Sequence, residues 1–171
     1  MPTTVPASTP SDGYVRIWWV TTIATTTAPK VATEILAASS LDLTCYLKES
    51  WGATTTAETV EDWRLCLRTV LATPGTTKTD LGDLIITHKV QVPADVANKA
   101  YAALAPTTQG YLVVRYGVDV DTAPAAAQVF DVFPVTVATR DKLPAERNSQ
   151  LKAKVTVMLR DIAQYDVVAA A

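Results

Sequence analysis

Two adjacent tryptophans, Trp18 and Trp19, lie in a stretch that alternates apolar and mixed residues, and that pair constrains the fold most. Neighbouring side chains of an extended strand point to opposite faces, so a sheet built on this strand needs cover on both sides. A helix on one side and a second sheet on the other would supply it, as would a subunit interface, where Trp is enriched. Over residues 14–23, Val15, Ile17, Trp19 and Ile23 share one face, and Tyr14, Arg16, Trp18 and Thr22 share the other. Residues 111–118 form a run with both faces largely apolar, and the same period of two recurs over residues 41–48, 62–68, 83–91, 129–138 and 151–160. The last of these is the cleanest, with Leu151, Ala153, Val155, Val157 and Leu159 opposite Lys152, Lys154, Thr156 and Arg160. Seven such segments in 171 residues predict a mainly β, antiparallel sandwich or barrel.

Several features punctuate the pattern. Pro134 cannot donate to a ladder, so its strand is expected at an edge or at a bulge. Pro93 and Asp95, followed by Val96, Ala100 and Leu104 at helical spacing, predict one short helix over residues 94–104. Residues 30–38 read as a helical turn or an irregular strand. Residues 1–12, rich in Thr and Pro, read as a flexible N-terminal arm, and residues 161–171 as a C-terminal extension. The domain then spans residues 13–160, with a long polar loop over residues 49–59.

Composition excludes much of the chemistry a site would need. Net charge is −2, which does not suit a free-standing DNA binder. One histidine and two cysteines are too few for a zinc module or a disulfide scaffold. Cys45 and Cys66 both fall in expected strands and could pair, with two buried free thiols the favoured reading over a disulfide. The only histidine, His88, shares the apolar set of Leu84, Ile86 and Val90, so it reads as a core or interface residue. Asp119 and Asp121 share one face of an extended segment, but their place after a strand reads as a polar loop rather than a metal site. There is no glycine-rich phosphate loop, no basic leader and no apolar run of membrane-spanning length. The expectation is a non-enzymatic protein with no cofactor and no membrane association, made in the cytoplasm.

Ordered local stretches carry a resemblance. They are Tyr14-Val15-Arg16-Ile17-Trp18-Trp19-Val20, Leu41-Asp42-Leu43-Thr44-Cys45-Tyr46-Leu47 and Thr59-Val60-Glu61-Asp62-Trp63-Arg64-Leu65-Cys66. The block from Gly110-Tyr111-Leu112-Val113 to Gly117-Val118-Asp119, and then Val132-Phe133-Pro134-Val135-Thr136, complete the set. In this order they resemble the major tail tube proteins of long-tailed bacteriophages, especially those infecting actinobacteria. The resemblance implies a β-sandwich or half-barrel with one short α-helix packed outside. It also implies hexameric rings of identical subunits stacked into a tube around a tape-measure protein, ending at tail terminator and baseplate or tip proteins. DNA would pass down the lumen without specific binding, in a virion tail assembled in the host cytoplasm.

Under that resemblance, Glu49, Trp51, Thr54, Thr55, Thr56 and Glu58 are expected to make the stacking contacts between rings. Trp18, Trp19 and Pro134 are expected to close each ring. The competing reading is a monomeric β-sandwich that binds a glycan or protein, with Trp51 and Tyr46 as stacking residues.

Overall fold

The computed structural model describes residues 8–49, 51–62, 66, 69, 71–89 and 91–171. Nine strands run in chain order: β1 (Val15–Val20), β2 (Leu41–Asp42), β3 (Ala53–Asp62), β4 (Leu71–Leu81), β5 (Leu84–Thr87), β6 (Gln109–Tyr116), β7 (Val129–Lys142), β8 (Lys152–Leu159) and β9 (Gln164–Val168). One seven-stranded antiparallel sheet has the order β2-β1-β6-β7-β8-β5, with β9 added to β7. The sheet curls until Leu47 bridges Ile86 of β5 and the Lys48 N–H donates to the Ile85 carbonyl at 2.9 Å. The chain that continues β2 thereby reaches the opposite edge strand, which makes a half-barrel. A groove of about 550 Å³ stays open beside this closure, lined by Val15, Ile17, Leu47, Trp51 and Tyr116 among others.

Both faces of the sheet are buried, as the tryptophan pair requires. Inside the curl, Trp19 packs with Ile17, Leu112, Phe133, Val135, Val155 and their neighbours. Outside it, Trp18 packs with Val20, Val113, Phe130 and Val132. That outer cluster is covered by Ile23, by Val31 and Ile35 of a π-helical turn (Val31–Ile35), and by Val167 and Ala169 near the C-terminus. The Glu34 carboxylate fixes the turn, accepting from the Ala24 N–H at 2.8 Å and the Lys30 N–H at 2.7 Å. The chain end is tied down beside it, since the Val31 N–H donates to the Ala170 carbonyl and the Ala170 N–H to the Pro29 carbonyl.

The expected helix is a 3₁₀ turn, Val96–Asn98, running into a short α-helix, α1 (Lys99–Ala103). Asp95 caps it by accepting from the Ala97 N–H at 2.8 Å. Ala100 and Leu104 enter the inner core, and the helix covers one end of the half-barrel. The Arg140 guanidinium lies 3.8 Å over the Tyr101 ring and donates to the Tyr101 carbonyl.

Five expectations change. Pro134 is in β7, which has strands on both sides. Its carbonyl accepts from the Arg160 N–H at 3.0 Å, so its nitrogen faces the same side. There the neighbour changes from β9, paired up to Val132, to β8, paired from Val135, so the missing donor falls in the gap. The segment after β2 leaves the strand at once: Leu43 is buried, and the Tyr46 N–H turns back to the Leu43 carbonyl. Cys45 and Cys66 are free, as expected, but exposed rather than buried. Residues 161–171 are not a mere extension, because β9 lies within them. Residues 53–59, expected as loop, are strand β3. The expected arm at residues 1–7 and most of the strand expected at 62–68 lie outside the described residues.

Two outcomes follow from this packing. A Cβ on Gly110 would stand 2.6 Å from Cζ2 of Trp19, so this strand glycine exists to admit the indole. Gly110→Ala should cost about 1–3 kcal/mol through overpacking, lowering Tm by about 2–4 °C per kcal/mol with the β-type circular dichroism intact. His88 is buried against Tyr101, with its Nδ1 unpartnered. Burial, and then the charge of Lys142, hold its pKa below the ordinary value, so the folded state favours the neutral ring. Its contribution is present above about pH 6.5 and is lost as pH falls toward the depressed folded pKa. Thermal melts from pH 7.5 to 5.5 should show Tm falling in wild type and a flatter profile in His88→Gln.

Candidate functional site

The largest feature left uncovered is a β-hairpin. Strands β3 and β4, ten and eleven residues long, pair only with each other among the described residues. At about 3.4 Å per residue the hairpin is roughly 35 Å long, close to the width of the half-barrel itself. From Thr54 to Glu61 every side chain of β3 is exposed, on both faces. Alternation of apolar and polar residues is absent because neither face has anything to bury. Thr55 opposite Thr79, Thr56 opposite Lys78 and Val60 opposite Thr73 are β-branched or long side chains that stiffen such a ribbon. A bulge in β4 at Gly75 and Thr76, opposite Glu58, breaks the register midway, and Gly75 admits the close approach of the Glu58 carbonyl and the Val60 side chain.

The base of the hairpin is anchored firmly. Trp51 is buried just before β3, donates its indole N–H to the Gly82 carbonyl at 2.7 Å, and packs edge-on to Phe133 at 5.3 Å. Tyr165 of β9 also packs edge-on to Phe133, at 5.4 Å, and hydrogen-bonds Thr55 Oγ1 at 3.1 Å. A groove of about 430 Å³ runs between this foot and residues 159–163. Beyond it the ribbon carries Val60, 57% exposed, and Leu71, 52% exposed, neither of which joins an apolar cluster among the described residues.

The structure sorts the sequence-derived site residues into two groups. Thr54, Thr55, Thr56 and Glu58 stand together on the hairpin, and exposed Glu49 precedes it. Trp51 belongs to the core, with one edge on the open groove, and Tyr46 donates to the Val96 carbonyl. Trp18 and Trp19 are each 2% exposed, and Pro134 is buried between strands, so their side chains already have partners within the subunit. Val60, Leu71 and Tyr165 escape sequence reasoning, because isolated apolar residues in a polar stretch carry no periodic signal.

Two charge arrangements bear on contact with other molecules. The cations on the polar side of β8 have acidic partners: Lys154 Nζ is 2.9 Å from Asp83, and Lys152 Nζ is 3.7 Å from Glu146. The Asp83 carboxyl is held below its ordinary pKa by hydrogen bonds from Lys154 and Thr156. At the end formed by residues 117–128, two arginines hold the loop from beneath. Fully buried Arg115 donates to the Asp119 and Thr122 carbonyls and to Gln128 Oε1, all within 3.0 Å. Arg16 pairs with Asp42 at 2.8 Å and donates to the Val120 carbonyl, and both guanidinium groups lie over the Trp18 ring. Asp119 uses its carboxylate to accept from the Asp121 N–H at 2.8 Å, a loop-forming turn. Among the described residues no group of three or more His, Cys, Asp or Glu could hold a metal ion.

This geometry is that of a curled sheet from which a long, exposed two-stranded ribbon extends. A chain in the cryo-EM structure of the anti-feeding prophage (AFP) baseplate, 6-fold symmetrised, has a similar fold: the TM-score is 0.56 at 10% identity, covering 95% of this chain and 96% of that one. No curated protein sequence matches the chain. The family model described as phage tail tube protein matches residues 1–171. The chain therefore belongs to the phage tail tube protein family, and it is a structural component of a phage tail.

Proposed function

We propose that the protein is the subunit of a tail tube, polymerising through the β3–β4 hairpin into stacked rings. The observation that carries this reading is a ribbon of roughly 35 Å exposed on nearly all its surface. A two-stranded hairpin is marginal alone, and its open edges and exposed Val60 and Leu71 gain most from the surface of another copy. Glu49, Thr54, Thr55, Thr56 and Glu58 then lie on the contact between neighbouring rings. Trp51 acts as the bracket that sets the angle of the ribbon. Ring closure falls to edges other than the strand of Trp18 and Trp19, which the subunit already surrounds. The 6-fold symmetry of the similar baseplate supports rings of six.

The same architecture supports the role of a conduit. A tube of such rings holds the tape-measure protein during assembly in the host cytoplasm, meets terminator and baseplate or tip proteins at its ends, and later passes DNA. Ion pairing of Lys152 and Lys154 with Glu146 and Asp83, and a net charge of −2, favour a wall to which DNA does not adhere.

Replacing residues 58–76 with an Asn-Gly turn joins Ala57 to Thr77, which are already paired. The shortened chain should stay folded, sediment as a monomer and form no tubes in negative-stain micrographs. Val60→Lys combined with Leu71→Lys should do the same with the ribbon kept at full length. Normal tubes from both variants would refute the hairpin's role.

A further inference from the structure

The two ends of the half-barrel carry opposite charge. Strand β7, fourteen residues long, runs from one end to the other, about 45 Å. At its C-terminal end it meets the start of β8, the end of β5 and helix α1. Lys89, Lys99, Arg140, Lys142, Arg147 and Lys152 gather there, around exposed Val96 and Leu151. The carboxylates at that end, Asp95, Asp141 and Glu146, are half as many, and two of them already pair with Lys89 and Lys152.

At the N-terminal end of β7 the balance inverts. Asp131 of β7 accepts from the Asp166 N–H at 2.9 Å, which puts two carboxylates side by side. Burial, opposed by that hydrogen bond but assisted by the charge of Asp166, raises the pKa of Asp131. The loop carrying Asp119 and Asp121 closes over the same end, and the Val120 N–H donates to the Gly13 carbonyl, which places Asp12 beside it. Two cations near this end are exposed, Lys30 beside Ala170 and Lys48 in the groove with Asp12, while the arginines are engaged within the subunit. Arg115 is fully buried, and Arg16 is held by Asp42 and the Val120 carbonyl. The exposed carboxylates Asp12, Asp119, Asp121 and Asp166 thus outnumber the exposed cations Lys30 and Lys48 at this end.

We infer that the basic end of one copy docks on the acidic end of the next copy, a head-to-tail contact that sets the polarity of stacking. Unlike faces meeting head to tail form an open, repeating assembly, whereas a self-complementary face would stop at a dimer. The occupant is a second copy because each end offers the complement of the other on the same chain. The net charge of only −2 hides this separation. The inference rests on the tube reading, and it assigns the axial contact to charge in addition to the ribbon.

Charge reversal tests it. Lys99→Glu with Lys142→Glu inverts the basic end, and Asp12→Lys with Asp121→Lys inverts the acidic end; all four side chains are exposed. Either pair should raise the critical concentration for tube formation at least tenfold, as like charges are brought together. All four substitutions in one chain recreate the contact with its sign inverted and should return the value to within about threefold of wild type. Circular dichroism and Tm report whether each variant folds. If a variant does not, wild type alone decides: its critical concentration should rise steeply between about 0.05 M and 0.5 M NaCl. A flat salt response, or a fourfold variant as defective as the twofold ones, overturns the contact and leaves the tube reading standing. Wild type that stays monomeric under all conditions overturns both. Retention of duplex DNA that is lost in the Lys99→Glu, Lys142→Glu chain while its tubes stay normal would assign the basic end to nucleic acid and refute the contact.

Discussion

A strand whose neighbouring residues are both tryptophan has no face to give to solvent. Each indole buries a large apolar area, so leaving either side open would cost a few kcal/mol. The rest of the subunit can be read as the means of closing both sides. The curl of the sheet, with α1 at one end, encloses Trp19, and Gly110 leaves the space its ring fills. A π-helical turn and the last residues of the chain enclose Trp18. Because Val167 and Ala169 complete that second layer, the C-terminus is part of the core, and β9 exists to bring it there.

Polar groups caught between these layers are given fixed roles. Arg115 is pressed against Trp18 and donates to neutral oxygens of residues 119, 122 and 128, so a buried cation organises a loop instead of pairing with a carboxylate. Glu34 does the corresponding work on the other side of the Trp18 cluster with two backbone N–H groups. Such charge-assisted bonds to the backbone are specific in geometry, and they define where the loops at each end of the half-barrel stand. The subunit thus presents rigid ends, which suits a part that must fit its own copies.

The sequence made the sheet legible wherever one face meets the inner core. Strands β1, β7 and β8 follow the period of two, β6 reads as a run apolar on both faces, and the capped helix follows Pro93 and Asp95. It was least legible where burial does not alternate. The hairpin reads as a loop because a ribbon exposed on both faces has no apolar period, and its many threonines suit either structure. Leu41, Leu43, Cys45 and Leu47 alternate and yet turn, because Leu43 fills the core while Leu47 crosses to β5. Pro134 looked like an edge marker since sequence alone cannot show that the adjoining strand is interrupted at that point. Of the site residues, those on the hairpin were found by polarity and length. Those drawn from large apolar side chains, Trp18 and Trp19, turned out to serve the subunit itself.

That last distinction bears on how a tube subunit can be both stable alone and incomplete alone. The half-barrel covers the inner and outer apolar clusters of its sheet, covers the β5 edge with residues 47 and 48, and holds its chain end in place. The longest element it leaves uncovered is the ribbon, whose strands are exposed over most of their length. An open apolar face would drive aggregation as readily as assembly. A ribbon rich in threonine and charged residues, with Pro74 and a bulge along its edges, resists indiscriminate strand pairing. Assembly then depends on many modest contacts made in one geometry. This is the physical condition for a polymer that stays soluble as subunits and becomes rigid only when its neighbours are in place.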